Sequence, residues 1–209
     1  MGESAVTVGA MHGAPMEASP YHIPSKKLAM WLFIIADAAT FGAILFAYGY
    51  LRVANPDWTR PFEFSPTIAN AAAMTVVLLT SSLTMVGAVR SAQAARRSAS
   101  VGWLSVTLAL GLVFAVLLLR EWSVMIGAGW GLSRNPMGGS VLFGATFFGI
   151  TGLHLVHVIA GVVALGVVAI KFNRDRLDAG HVETTGLYWH FVNVVQMFVF
   201  PLVYLMNAR

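Results

Sequence analysis

The sequence contains no cysteine and few charged residues. Without thiols the chain cannot form a disulfide, and it cannot supply a thiolate ligand to an iron–sulfur cluster or a copper centre. Asp, Glu, Lys and Arg together make up only 11% of the 209 residues. So little charge excludes an ordinary water-soluble domain of this length.

Apolar residues dominate instead, at 57% of the chain, with a mean hydropathy of +0.73. A hydrocarbon layer about 30 Å thick requires roughly 20 apolar residues for each helical crossing. Runs of this kind lie near residues 28–51, 67–89, 101–120, 140–170 and 186–206. We therefore predict an all-α, polytopic membrane protein in which residues 26–209 form five transmembrane helices in one bundle. Residues 1–25 are polar and small, which predicts a flexible N-terminal tail without a cleaved signal peptide.

Basic residues in the connections predict the orientation of the bundle, because cytoplasmic loops carry an excess of Lys and Arg. The side of the N-terminus has eight: Lys26, Lys27, Arg90, Arg96, Arg97, Lys171, Arg174 and Arg176. The other side has five: Arg52, Arg60, Arg120, Arg134 and Arg209. The bias places the N-terminus inside the cell and the C-terminus outside.

Polar side chains within the apolar runs need partners. Asp37 lies near the middle of the first run, where a lone carboxylate is costly. His154 and His157 lie one turn apart in the fourth run, and hydrogen bonding between helices is favoured over metal binding for them. A haem held between two helices would need His190 at the same depth, but the spacing places His190 nearer the membrane boundary.

For several other residues the sequence predicts simpler roles. Arg120 and Glu121 end the third run, which predicts a boundary ion pair. Glu183 opens the fifth helix, where its charge suits the exposed amide groups. Small residues of the first run predict close packing against a neighbouring helix. They are Ala36, Thr40, Ala43 and Ala47.

The fifth run carries His190, Asn193 and Gln196 at intervals of three residues, which form a slanting polar stripe on one helix face. That stripe must meet protein, headgroups or water. Tyr188 and Trp189 beside it are suited to the inner membrane interface, and Pro201 predicts a kink in the outer half.

Read in order, these segments resemble subunit III of the haem–copper respiratory oxidases. The resemblance is carried by WLFIIADAATFGAILFAY, by Glu121 after an apolar run, by FGATFFGITGLHLVHVIAG and by VETTGLYWHFVNVVQMFVFPLVYL, and it covers residues 28–207. The chain looks like the shorter, five-helix form of that family. Asp37 stands where relatives commonly have a membrane-buried Glu, and matching positions are held by His154, His157, Glu183, Trp189 and His190. Asn193 and Gln196 stand where the family pattern has an acid and a tryptophan.

The resemblance implies an accessory subunit of a proton-pumping terminal oxidase in a prokaryotic plasma membrane. Such a subunit has no redox centre or cofactor of its own and docks against catalytic subunit I, which holds the haems and copper, and against other oxidase subunits. It would bind phospholipid in a cleft, expected here between the first two helices and the remaining three, and support proton uptake. Within it we expect Asp37 and His154 to share a hydrogen bond, either directly or through water.

Three alternatives remain open on the sequence alone. The departures at Asn193 and Gln196 leave open a divergent branch, which includes the related proteins associated with nitric oxide reductases. A haem-bearing membrane anchor is suggested by His154 and His157, and a small transporter or channel by Asp37.

Overall fold

The computed structural model describes residues 25–208 and contains five long helices. They are α1 (Ser25–Ala54), α2 (Ala69–Gln93), α3 (Arg97–Gly127), α4 (Leu142–Asn173) and α5 (Ala179–Val199). All five are long and apolar enough to cross a membrane, which confirms the prediction of an all-helical fold with five helices of membrane-spanning length. Within the described range β-structure is limited to two isolated bridges. The predicted flexible tail, residues 1–25, lies outside the described residues except for Ser25.

The helices extend several residues beyond the apolar runs that predict them. α1 has 30 residues and α4 has 32, so each is about 45–48 Å long, whereas the hydrocarbon layer is about 30 Å thick. Their polar ends therefore reach the headgroup region. After α5 the chain widens into a π-helical turn, Phe200–Tyr204, that contains Pro201. Proline cannot donate an amide hydrogen, so the predicted irregularity lies at this point.

Helices α2 to α5 form a closed ring, and α1 lies outside it. α2 packs on α3 and α5, and α4 also packs on α3 and α5, whereas α1 contacts α5 and α4. The expected division between the first two helices and the remaining three is therefore wrong, since α2 belongs to the ring. Sequence order did not reveal this, because α2 follows α1 along the chain but packs mainly on other helices.

Only a narrow line of α1 is buried. Its buried side chains are Ile34, Phe41 and Tyr48, spaced seven residues apart along one helix face. The stripe formed by Ala36, Thr40, Ala43 and Ala47 is exposed, so the expectation that it packs within this bundle is wrong. Larger apolar side chains make the contact because they reach across to α4 and α5.

The two ends of the bundle differ in chemistry. At the end that contains Lys27, Arg97 and Asp175, charged side chains connect the helix termini. At the opposite end, which we call the Asn207 end, an aromatic cluster covers the helices. It consists of Phe62, Trp130, Phe143, Phe147 and Tyr204, all buried. The connection between α1 and α2 is fixed there by the Trp58 indole, which donates to Asn207 Oδ1 at 2.9 Å.

Candidate functional site

The acid in the middle of α1 is paired with a histidine of α4. Asp37 Oδ2 lies 3.2 Å from His157 Nε2, and both side chains are mostly buried. His157 Nδ1 lies 2.8 Å from the Leu153 carbonyl oxygen, which can only accept a hydrogen bond, so Nδ1 carries a hydrogen. The contact with Asp37 then requires one further proton, held by either residue. In both forms the pair is neutral overall, which removes the cost of a lone charge in the membrane.

Of the two forms expected for the contact between Asp37 and His154, the direct hydrogen bond is therefore wrong. His154 is only 2% exposed, and neither of its ring nitrogens has a hydrogen-bond partner among the described residues. The ring makes edge contacts with Phe114 and Phe41 instead. Three residues along a helix rotate the side chain by about 60°. That rotation directs His157 towards Asp37 and His154 into the ring of helices.

Charged residues hold α1 at the Lys27 end. Lys27 Nζ donates to Glu183 Oε1 at 2.6 Å, and Lys26 Nζ lies 3.0 Å from His181 Nε2. Glu183 does not open α5 as expected, because the helix begins at Ala179 and Asp178 is its N-cap. The hydrogen bond from the His181 side chain lowers the pKa of Asp178.

The polar stripe on α5 faces α2 at two of its three positions. His190 Nδ1 lies 2.7 Å from Ser82 Oγ, and Gln196 Nε2 donates to Thr75 Oγ1 at 3.0 Å. Asn193 Nδ2 donates to the Trp189 carbonyl of its own helix at 2.8 Å, and its Oδ1 is buried without a partner in the described range. The stripe therefore serves mainly as the polar seam between α5 and α2.

Trp189 lies in the centre of the bundle and not at the membrane interface. Its exposed fraction is 0%, and its indole nitrogen donates to Ser81 Oγ at 3.0 Å. Gly111 of α3 and Gly161 of α4 leave room for the ring, since a Cβ atom at either position would lie within 3 Å of ring carbons. The expected interfacial position was wrong because two glycines on other helices create this space. Tyr188, which is also buried, donates to the His157 carbonyl at 3.0 Å.

Glu121 is buried against α2. It is 6% exposed and accepts a hydrogen bond from Asn70 Nδ2 at 2.9 Å. The expected ion pair with Arg120 is wrong, and α3 continues past Glu121 to Gly127. Adjacent residues on a helix point about 100° apart, so Arg120 turns outward while Glu121 faces α2.

Several contacts were not anticipated from the sequence. Asn207 Nδ2 donates to the Tyr48 hydroxyl at 2.5 Å, and that hydroxyl donates to the Leu202 carbonyl at 3.0 Å. Arg52 donates to the Met206 carbonyl at 2.5 Å. The only signal available was the presence of these polar groups near the ends of two apolar runs, and it did not identify which groups pair.

Two further features bear on what the chain can bind. An open groove of about 390 Å³ runs between α1 and α5, lined almost entirely by apolar side chains that include Phe41, Leu45, Phe191 and Phe198. No group of three or more His, Asp or Glu side chains in residues 25–208 is arranged to hold a metal ion. Both ring nitrogens of His157 are already engaged by Leu153 and Asp37.

Comparison with known families places this five-helix chain in one of them. The family profile described as cytochrome c oxidase subunit III matches residues 22–208. The chain belongs to the cytochrome c oxidase subunit III family. The resemblance noted from the sequence motifs is thereby confirmed.

Individual relatives agree with this assignment. The chain is 30% identical to cytochrome bo(3) ubiquinol oxidase subunit 3 of Pseudomonas aeruginosa, over 85% of this chain and 83% of the relative. It is also 30% identical to cytochrome c oxidase subunit 3 of Alkalihalophilus pseudofirmus, over 88% of each protein. A haem–copper oxidase subunit I+III of Aeropyrum pernix is 30% identical over 91% of this chain, which corresponds to 24% of that longer protein.

Proposed function

We propose that this chain is an accessory, non-catalytic subunit of a proton-pumping haem–copper terminal oxidase. The observation that carries the proposal is the subunit III family match, which extends over residues 22–208 and so includes all five helices. In this assignment the haems and copper belong to partner subunits, and this chain docks against catalytic subunit I. The Aeropyrum relative supports that partnership, because its name places subunits I and III in one protein.

The pair formed by Asp37 and His157 is proposed to support proton uptake by the complex. The pair holds one exchangeable proton near the middle of α1 and α4, and 18% of the Asp37 side chain and 16% of the His157 side chain remain accessible. It also fixes α1 against α4, because α1 has few buried side chains of its own. Asp37 has a shorter side chain than the Glu expected at this position in the family. The side chain of His157 extends far enough from α4 to contact it.

The groove between α1 and α5 is proposed to hold a phospholipid acyl chain. Its walls are apolar and aromatic, and it opens on the side of the bundle where α1 leaves the ring. Acyl chains bind such surfaces through shape and dispersion, without requiring polar partners. This location replaces the cleft expected between the first two helices and the remaining three.

The orientation and location of the chain are part of the same proposal. We propose that the end of the bundle near Lys26 faces the cytoplasm and the Asn207 end faces outside, which the excess of Lys and Arg on the side of Lys26 supports. The bacterial oxidase subunits among the relatives support a multi-pass protein of a prokaryotic plasma membrane.

Purification of the complex through an affinity tag on this chain tests the proposal. The reduced-minus-oxidised spectrum of the purified material should show haem that co-purifies in fixed proportion with the tagged chain. Oxygen consumption should decline faster during turnover when the chain is removed. Isolation of the chain without a haem-containing partner would refute the proposal. Haem bound to the isolated chain would instead support a membrane anchor, which the engaged nitrogens of His157 disfavour.

A further inference from the structure

The start of α1 is tied to the start of α5 by two contacts of different chemistry. One is an ion pair, in which Lys27 Nζ donates to Glu183 Oε1 at 2.6 Å. The other joins a lysine to an imidazole, with Lys26 Nζ 3.0 Å from His181 Nε2. Both contacts border an open cavity of about 520 Å³ between the first turns of the two helices. They are separate from the Asp37 pair and from the groove between α1 and α5.

The partners of the His181 ring determine where its hydrogen lies. Nδ1 lies 2.6 Å from Asp178 Oδ1, and a carboxylate can only accept a hydrogen bond, so Nδ1 carries a hydrogen. The ammonium group of Lys26 can only donate, so Nε2 must offer its lone pair. Both contacts therefore exist together only when the imidazole is neutral and has its single hydrogen on Nδ1.

Addition of a proton to Nε2 removes the acceptor of the Lys26 contact. The imidazolium then presents a hydrogen and a positive charge to the Lys26 ammonium group, so an attractive contact becomes a repulsive one. The contact with Asp178 is retained and becomes charge-assisted, because Nδ1 still donates to the carboxylate. Histidine is the side chain that ordinarily changes charge between about pH 5 and pH 8.

The other charged side chains around His181 do not ordinarily change charge in that range. Besides Asp178 and Lys26, the two cavities that His181 lines contain two ion pairs and one further cation. They are Arg97 with Asp175, Lys27 with Glu183, and Arg176. Carboxyl groups ordinarily titrate near pH 4, and Lys and Arg above about pH 10. Among the described residues of this cluster, His181 is therefore the one that responds to pH near neutrality.

The first turns of α1 have little else to hold them. The first buried side chain of the helix is Ile34, which leaves residues 25–33 without a buried side chain. Phe33 contacts the Tyr188 ring at a centroid distance of 5.9 Å, but it lies two turns after Lys26. The position of the first turn therefore depends on the contacts made by Lys26 and Lys27.

We propose that His181 is a pH-sensitive latch for the start of α1. When His181 is neutral, Lys26 and Lys27 are both attached to α5. When His181 is protonated, Lys26 is released and only the ion pair of Lys27 with Glu183 remains, so the first turn of α1 frays more often. The latch responds to the pH on the Lys27 side of the membrane, and it does not depend on the proposed oxidase function.

Hydrogen–deuterium exchange of the full chain in lipid nanodiscs tests the latch. The reporters are the amides of residues 29–32, because they donate to carbonyls of the first turn of α1. Their exchange is compared at about pH 5.5 and about pH 7.5, after division by the rate of an unstructured reference peptide, since intrinsic exchange also depends on pH. We expect the corrected exchange of wild type to be about two- to fivefold faster at the lower pH, as the loss of one exposed polar contact implies.

Three variants identify the group responsible. His181→Gln can still accept from Lys26 and donate to Asp178 but cannot be protonated, so its corrected exchange should be equal at the two pH values. Lys26→Met lacks the contact at both, and its exchange should be equally fast at both. His190→Gln is the matched control, because His190 contacts Ser82 of α2 and not α1, and it should retain the pH dependence of wild type.

Two results would overturn the proposal. Equal corrected exchange of wild type at the two pH values would show that no latch opens, and this comparison needs no variant. A pH dependence that persists in His181→Gln would show that another group releases the first turn. Nitrogen NMR of the histidine-labelled chain provides a second measurement, in which the signal lost in His181→Gln should show the hydrogen on Nδ1 at about pH 7.5. A hydrogen on Nε2 instead would contradict the contact with Lys26 on which the latch rests.

Discussion

The His157 Nε2 atom lies 3.2 Å from Asp37 Oδ2 and joins α1 to α4 near the middle of both helices. Contacts near the two ends of α1 complete the attachment, through Lys27 to Glu183 and through Tyr48 to Asn207. Because so few α1 side chains are buried, these polar contacts carry an unusual share of its attachment. Lipid provides no hydrophobic driving force between helices, so polar contacts matter more than they would in water.

Alanine substitutions at Asp37 and His157 should separate the interaction free energy of this pair from the contribution of helix packing. We expect a double-mutant cycle of Asp37→Ala and His157→Ala to give a coupling free energy of about 0.5–2 kcal/mol in detergent unfolding experiments. Asp37→Asn should retain part of the coupling, since its amide can donate to a neutral His157. The measurement is the free energy of unfolding of each single variant and of the double variant.

Thr40→Ala is the matched control, because within residues 25–208 the Thr40 hydroxyl bonds only to the Ala36 carbonyl of its own helix. It should show no coupling to His157→Ala. A coupling energy of zero between Asp37 and His157 would mean that their proximity contributes nothing to the attachment of α1.

The number of helices could be predicted from the sequence, whereas which helices pack against each other could not. Length and apolarity determine whether a segment crosses the membrane, and both are local properties. The pairing of Asp37 with His157 instead of His154 depends on the rotation of α4 relative to α1. Both histidines are near mid-depth, so depth alone did not distinguish them. Phe41 of α1 makes edge contacts with both rings, so this contact does not distinguish them either.

Glu121, near the end of α3, also shows that local sequence does not identify the partner of a side chain. The sequence indicates that an acid follows an apolar run, and a boundary position is the simplest prediction. The end of α3 lies six residues later, and the side chain turns towards Asn70. Asn70 is 51 positions away in the sequence, so no local pattern could connect the two.

Asn193 provides a test of the departure from the family pattern. Restoration of the acid by Asn193→Asp places a carboxylate where the present side chain is 3% exposed and where Oδ1 has no described partner. We expect the isolated chain to lose about 1–3 kcal/mol of stability, because a buried charge without a partner is costly. Asn193→Leu should cost less, since it removes the unpaired oxygen. Thermal unfolding in detergent measures both, and equal stability of Asn193→Asp and wild type would contradict the burial argument.

Asp178 predicts a specific acid sensitivity at the start of α5. The hydrogen bond from His181 lowers the pKa of Asp178 below its usual value of 3.8, and Lys26 adds to the effect. A carboxyl whose pKa is lower in the folded state contributes stability above its unfolded pKa, and this contribution is lost as pH falls through the folded pKa. Asp178→Asn keeps a good N-cap but removes the titration. The melting temperature of wild type should therefore fall more steeply below about pH 4 than that of Asp178→Asn.

The contribution of Asp175 is the same in both proteins, because Arg97 lowers its pKa whether or not Asp178 is present. The comparison therefore isolates Asp178. If the melting temperatures of wild type and Asp178→Asn change in parallel with pH, the N-cap of α5 does not depend on the charge of Asp178.

The space around Trp189 predicts a large effect from a small substitution. In Gly161→Ala the new Cβ atom would lie 2.8 Å from two carbons of the Trp189 ring, which is fully buried and cannot retreat. Displacement of the ring also strains the hydrogen bond to Ser81. We expect the free energy of unfolding to fall by about 1–3 kcal/mol, as is usual for overpacked cores.

Gly149→Ala in the same helix is the control, because its Cβ would meet open space and alanine favours helices. Comparison of the two melting temperatures checks the prediction, and Trp189→Phe should recover part of the loss by making the ring smaller. If Gly161→Ala unfolds at the same temperature as Gly149→Ala, the ring is not confined as the structure indicates.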